Sequence, residues 1–122
     1  MKLTILHISD LHRDPSNPIS NSSLLDSLER DRIRYRQEDP PIEGPDLVVI
    51  SGDAIYGIPE DSKDPDRELA HQYEQAEDFL VKLSKSFVNG NRERIIIVPG
   101  NHDVSLYHTV LSMKKLDFGI FR

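Results

Sequence analysis

Three polar clusters in this sequence carry residue types that bind metal ions or transfer protons. They are Asp10 with His12, Asp53 after a glycine, and the consecutive residues Asn101, His102 and Asp103. Carboxylate, amide and imidazole groups are the ligands that hard and borderline divalent cations prefer in proteins. In an extended segment, side chains two residues apart point to the same side. Asp10 and His12 could therefore reach one ion.

Each cluster follows an apolar run that predicts a β-strand. The three runs cover residues 3–8, 47–51 and 94–98. Their nearly continuous apolar character is typical of strands in a parallel sheet that is covered on both faces. The loops at the carboxyl ends of parallel strands line one crevice. We therefore expect the three clusters to meet at one edge of the sheet and to hold two metal ions.

A site with two metal ions would give these residues distinct roles. Two divalent ions about 3.5–4 Å apart can bind both the attacking water and the phosphoryl oxygens of an in-line displacement. A carboxylate between the ions would hold that spacing, and Asp53 belongs to the middle cluster. Asn101 offers a neutral oxygen ligand. His102 is expected to face the leaving group or the developing charge, with Asp103 orienting its imidazole.

Two helices are expected between the strands. A stripe of apolar side chains within residues 24–37 predicts the first helix, with Ser22 or Ser23 as its cap. Six residues that recur in steps of three and four predict the second: Leu69, Tyr73, Ala76, Leu80, Leu83 and Phe87. The order β-α-β-α-β indicates an α/β fold with parallel strands and right-handed crossovers. Residues 106–115 are a further candidate helix.

The composition limits the class of protein. A chain of 122 residues forms one domain at most, which we assign to residues 1–122. The absence of cysteine excludes disulfides and cysteine-based zinc sites. No apolar run approaches the roughly 20 residues that span a bilayer, and the start lacks signal-peptide character, so we expect a cytoplasmic protein without a membrane partner. The net charge of −6 opposes nonspecific binding to nucleic acid, although bound cations would offset it locally.

Together, the three clusters resemble the first three motifs of the calcineurin-like binuclear metallophosphoesterases. The matching residues are Asp10-Leu11-His12, Gly52-Asp53 and Gly100-Asn101-His102-Asp103. Their order, their spacing and their places after three strands agree with the family pattern. The resemblance implies the amino-terminal half of a four-layer α/β/β/α sandwich.

The resemblance also implies a role for each motif residue. The implied metal ligands are Asp10 and His12 on the first ion, Asp53 between both ions, and Asn101 on the second. His102 would stabilise the transition state or protonate the leaving group, supported by Asp103. Members of this family use Mn, Fe, Zn or Mg ions to hydrolyse phosphomonoesters, phosphodiesters, cyclic nucleotides or nucleic acids.

The resemblance ends after Asp103. The downstream family motifs, which supply three more histidine ligands and the second sheet, have no counterpart, and His108 is the only later histidine. We therefore expect one ion or none in this chain alone. We also expect an uncovered apolar sheet face that requires the missing carboxyl-terminal half, a partner chain or self-association.

Two classes of function follow from this comparison. The first is metal-dependent hydrolysis of phosphomonoesters or phosphodiesters, with a metal-bound hydroxide as the nucleophile. The second is a catalytically incomplete module that acts as an interaction or regulatory subunit.

Several other polar residues are expected to have structural or surface roles. His7, inside the first strand, is expected to be packed or bonded to backbone, and His108 to be structural. His71 and the acidic run at residues 60–66 are expected to be solvated. Arg13 is expected either to contact phosphate or to lie on the solvated surface.

Overall fold

The structure is a computed structural model, and it describes residues 2–58 and 61–100. The elements are β1 (Ile5–Ile8), α1 (Asn21–Arg36), β2 (Leu47–Ser51), α2 (Pro65–Phe87), a 3-10 turn (Arg92–Arg94) and β3 (Ile95–Val98). The predicted β-α-β-α-β order is confirmed. The expected helix at residues 106–115 lies outside the described residues. Neither α1 nor α2 combines the length and the apolar character needed to cross a membrane.

The three strands form a parallel sheet with β2 in the centre. The two helices contact each other and therefore lie on the same face of the sheet. Right-handed crossovers produce this arrangement when the strands follow each other in the order β1-β2-β3. The parallel α/β sheet predicted from the sequence is thus confirmed.

The face of the sheet away from the helices is more open. Register and alternation place Ile5, Ile96 and Val98 on this face, and each remains about half exposed. The expectation that both faces are covered is therefore not met within residues 2–58 and 61–100. The partner expected to cover this face stays a prediction.

The helix α1 begins earlier than its apolar stripe suggests. Ser20 is the N-cap, and its hydroxyl accepts a hydrogen bond from Ser23 N at 3.1 Å. The predicted caps Ser22 and Ser23 are therefore wrong. The cap lies upstream because Asn21, the first helical residue, is buried against α2 and bonded to it.

Four residues of the predicted stripe on α2 are buried, namely Leu69, Ala76, Leu83 and Phe87, but the buried face also includes Phe79, which the stripe left out. Phe79 and Leu83 are fully buried and belong to the main core with Val48 and Ile50 of β2. Tyr73, by contrast, is exposed. The helix is rotated towards Phe79 because this ring places a large apolar surface on the sheet.

Gln72 is a second residue on the rotated face. It is buried, and its amide exchanges two hydrogen bonds with Gly57 N and Gly57 O, at 2.8 and 3.0 Å. A buried amide is tolerated when its donors and acceptors are satisfied in this way. These two hydrogen bonds therefore connect the loop after β2 to α2.

The rotation of α2 can be tested with two substitutions. We expect Phe79→Ala to lower the free energy of unfolding by about 3–5 kcal/mol, because it removes a ring from a closed core. Tyr73→Ala, at an exposed position of the same helix, should cost about 1 kcal/mol at most. Urea unfolding followed by circular dichroism measures both values. Equal losses would mean that Tyr73 contributes as much to the core as Phe79 does.

Candidate metal centre

Unusual backbone conformations mark the ends of β1 and β2. Asp10, His12 and Asp53 have φ values of 55°, 47° and 54°. Positive φ is uncommon outside glycine, although aspartate, asparagine and histidine adopt it more often than other residues. Such conformations persist where surrounding contacts hold them, and they cluster at ligand sites. Here they coincide with three of the predicted metal ligands, and they show that Asp10 and His12 do not lie in the extended segment expected from the sequence.

Backbone hydrogen bonds extend the parallel pairing past the ends of these strands. They run from Asp10 N to Gly52 O (3.2 Å), from His12 N to Asp53 O (3.0 Å) and from Arg13 N to Ala54 O (2.8 Å). The two loops therefore lie side by side. This pairing brings residues more than 40 positions apart in the chain to the same edge of the sheet.

Asp10, His12 and Asp53 converge closely enough to hold a cation. One ligand atom from each residue lies within 4.8 Å of the other two. His12 Nε2 lies 3.8 Å from Asp10 Oδ1 and 3.9 Å from Asp53 Oδ2. Nitrogen and oxygen ligands at about 2.0–2.2 Å from a tetrahedral ion lie roughly 3.3–3.6 Å apart, so small side-chain adjustments would suffice. Two carboxylates and an imidazole fit a divalent cation of the Mn, Fe or Zn type.

The three side chains differ in their exposure to solvent. Asp53 is the most enclosed at 15% exposed, His12 follows at 35%, and Asp10 is 66% exposed. The site therefore opens towards solvent on the Asp10 side. Tyr56 stands beside it with its ring edge-on to the His12 imidazole, at 5.8 Å between ring centroids.

Gly100, two residues after the end of β3, lies against Gly52 and Asp53 at the same edge of the sheet. A Cβ at Gly100 would overlap Asp53 Oδ1 and would stand 2.8 Å from Gly52 Cα. Only a glycine fits here without displacing the side chain and the backbone of Asp53. The residue that precedes Asn101 is thus in contact with the predicted bridging carboxylate. Asn101, His102 and Asp103 lie outside the described residues, so their roles stay predictions.

These observations agree with a comparison to known families. A model of the calcineurin-like phosphoesterase family matches residues 3–121, so the match extends past Asp103, where the resemblance was expected to end. The chain belongs to the calcineurin-like phosphoesterase family. No curated protein and no solved structure gives a match. The parallel three-stranded sheet with two helices on one face corresponds to the amino-terminal half of the fold of these phosphoesterases.

Family membership agrees with a metal-binding role for the cluster. Calcineurin-like phosphoesterases bind divalent metal ions, and Asp10, His12 and Asp53 form a candidate site for one in this member. Their types and spacing identified them in the sequence. The steric role of Gly100 was not identified, although its position directly before Asn101 at a strand end was a usable signal.

Two expectations for residues around the candidate metal site are wrong. Arg13 neither faces solvent nor is available to a phosphate, because it is 4% exposed and donates hydrogen bonds to neighbouring oxygens. His7 is exposed, and its Nε2 hydrogen bonds to the Ser51 hydroxyl instead of to backbone.

The remaining polar residues agree more closely with the sequence. His71 is exposed, as expected. In the acidic run, the described acids Asp61, Asp64 and Asp66 are exposed. Asp64 also caps α2 by accepting a hydrogen bond from Arg67 N. His108 lies outside the described residues.

Proposed function

We propose that this phosphoesterase hydrolyses phosphomonoesters or phosphodiesters with a divalent metal ion held by Asp10, His12 and Asp53. The convergence of one ligand atom from each residue within 4.8 Å carries this proposal. Asp53 is the most enclosed of the three and is in contact with Gly100, which supports its role as the ligand shared with a second ion. Asn101 would be a ligand of that second ion.

The charges of the site explain why a cation is needed. Asp10 and Asp53 place two carboxylates where an anionic phosphoester would approach, and these alone would repel it. A divalent ion held by Asp10, His12 and Asp53 would supply positive charge to the phosphoryl oxygens and would lower the pKa of a water molecule at the site. The His12 imidazole, between the two carboxylates, provides the neutral nitrogen ligand.

The remaining steps are assigned to the third motif. His102 would donate a proton to the leaving group or stabilise charge in the transition state, and Asp103 would orient its imidazole. The preference between monoesters and diesters is measured in the assay below, which compares one substrate of each class.

A metal titration tests the proposed function. The chain is stripped with EDTA, supplied with Mn²⁺, Fe²⁺, Zn²⁺ or Mg²⁺, and assayed with bis-p-nitrophenyl phosphate and p-nitrophenyl phosphate. We expect hydrolysis of at least one substrate that disappears on chelation and returns when the metal is restored. The bound metal is measured in parallel by elemental analysis.

The same experiment distinguishes a metal-dependent hydrolase from a non-catalytic interaction or regulatory module. Absence of hydrolysis with all four ions would overturn the proposal, and at most one ion per chain without hydrolysis would support a non-catalytic module. No feature of residues 2–58 and 61–100 favours that module over the hydrolase.

A further inference from the structure

Arg13 is a buried cation that directly follows the metal-ligand candidate His12. Its Nε donates to Leu11 O at 3.1 Å, and its Nη1 donates to Ile19 O at 3.0 Å and to Asn21 Oδ1 at 3.1 Å. The Arg13 side chain is buried, with 4% of the residue exposed. Placing a charged group inside a protein against neutral acceptors is costly. The position of Arg13 therefore calls for a structural reason.

The peptide group between Leu11 and His12 gives the first structural reason for the burial of Arg13. Its N–H donates to Asp53 O at 3.0 Å, and its carbonyl accepts from Arg13 Nε at 3.1 Å. A peptide group is planar, so holding it at both ends fixes its orientation. One end of this contact is the backbone of Asp53, another ligand candidate. Arg13 therefore fixes a peptide that joins two residues of the triad.

The next peptide group, between His12 and Arg13, is held in the same way. Its N–H donates to Ala54 O at 2.8 Å, and its carbonyl accepts from Asn17 Nδ2 at 3.2 Å. His12 thus lies between two peptide planes that are each fixed at both ends. This accounts for its φ of 47°, a conformation that surrounding contacts must maintain.

Asn21 connects Arg13 to the helices. Its side-chain oxygen accepts from Arg13, and its Nδ2 donates to Gln75 O at 2.9 Å and to Asp78 Oδ2 at 3.0 Å. The Asn21 amide, followed by Lys82, holds the pKa of Asp78 below its usual value. The guanidinium is therefore anchored to the first residue of α1 and, through Asn21, to α2. These are rigid elements, and rigid elements can hold ligands in place.

We propose that Arg13 is a positioning residue for the metal centre. It sets the affinity for the metal by fixing the Leu11–His12 peptide, and with it the direction of the His12 imidazole relative to Asp53. This inference rests on the proposed metal site. Arg13 touches neither the metal ion nor the substrate.

The dissociation constant for Mn²⁺, measured by isothermal titration calorimetry, tests this role. We expect Arg13→Met to raise the Kd about 10- to 100-fold, the range for losing a group that supports a metal ligand. Arg13→Lys should raise it less, because an ammonium keeps the charge but cannot reproduce the fork of a guanidinium. Leu83→Val, which trims the core within α2, serves as a control that loses stability but keeps the wild-type Kd.

The visible absorption of bound Co²⁺ gives a second readout. We expect the Co²⁺ spectrum to change in the Arg13 variants, because the ligand geometry changes, and to stay unchanged in Leu83→Val. A folded Arg13→Met protein with the wild-type Kd and spectrum would overturn the inference. If circular dichroism shows that Arg13→Met is unfolded, the Kd and the Co²⁺ spectrum of Arg13→Lys decide whether Arg13 has this role.

The wild-type chain separates this inference from the proposed function. If it binds Mn²⁺ but does not hydrolyse phosphoesters, the proposed function fails while the Kd values still decide the role of Arg13. If it does not bind Mn²⁺ at all, both are overturned.

Discussion

Replacing Asp53 by asparagine is expected to abolish metal-dependent hydrolysis while the fold remains intact. Asp53 is the most enclosed of the three ligand candidates, and its carboxylate is the one predicted to contact both ions. Loss of this charge should lower kcat/KM at least about 1000-fold, which corresponds to roughly 4 kcal/mol of transition-state stabilisation. The fold should survive because asparagine has the same shape and tolerates the positive φ of 54° at this position.

The activity of Asp53→Asn is measured with Mn²⁺ and both nitrophenyl substrates, together with its bound metal. Asp14→Asn is a matched control from the neighbouring loop. Asp14 Oδ1 accepts a hydrogen bond from Ser16 N, which an asparagine oxygen can also do, and Asp14 is not part of the triad. We expect the control to keep wild-type activity. An Asp53→Asn protein with wild-type rates would exclude this site as the metal centre.

The second large effect is expected from Gly100→Ala. The new methyl group would overlap Asp53 Oδ1 and approach Asp53 N to 2.5 Å and Gly52 Cα to 2.8 Å, so both the Asp53 side chain and the adjoining backbone must move. Overpacking of this kind costs about 1–3 kcal/mol of stability. A displacement of about 1 Å in a catalytic arrangement can reduce the rate about 100-fold, and we expect a loss of this size.

Gly90→Ala provides the control for backbone and stability effects. Gly90 has a φ of 75°, and a Cβ there would meet no atom within 4 Å. Its substitution should cost about 1–2 kcal/mol, because an alanine is strained in the left-handed region, but it should not change activity. Thermal unfolding and kcat/KM are measured for both variants. If Gly100→Ala keeps the wild-type rate, its contact with Asp53 has no part in positioning the carboxylate.

Much of the architecture was accessible from the residues alone. The apolar runs located the three strands, and the spacing of apolar residues located both helices, because these patterns depend on neighbours in the chain. The convergence of Asp10, His12 and Asp53 also followed, because parallel strands place their carboxyl ends at one edge. Family membership confirmed the resemblance that these motifs carry.

The rotation of α2 and the burial of Arg13 could not be predicted from the sequence, and both have a physical reason. A stripe through Tyr73 and Leu80 and a stripe through Gln72 and Phe79 have the same helical period, so periodicity cannot choose between them. Only contact with the sheet selects Phe79 as the buried ring. Likewise, Arg13 stands in a polar loop, and no local pattern marks an arginine that is buried there.

The order of residues along the chain thus determines which helices and strands form, in what sequence they occur, and which types of metal-binding residue follow each strand. Contacts between distant segments specify the rest: the rotation of α2, the burial of Arg13 and the contact of Gly100 with Asp53. The physical reason is that these features depend on the space and the hydrogen-bond acceptors that other segments supply. Such partners exist only once the strands have paired and the helices have packed against them.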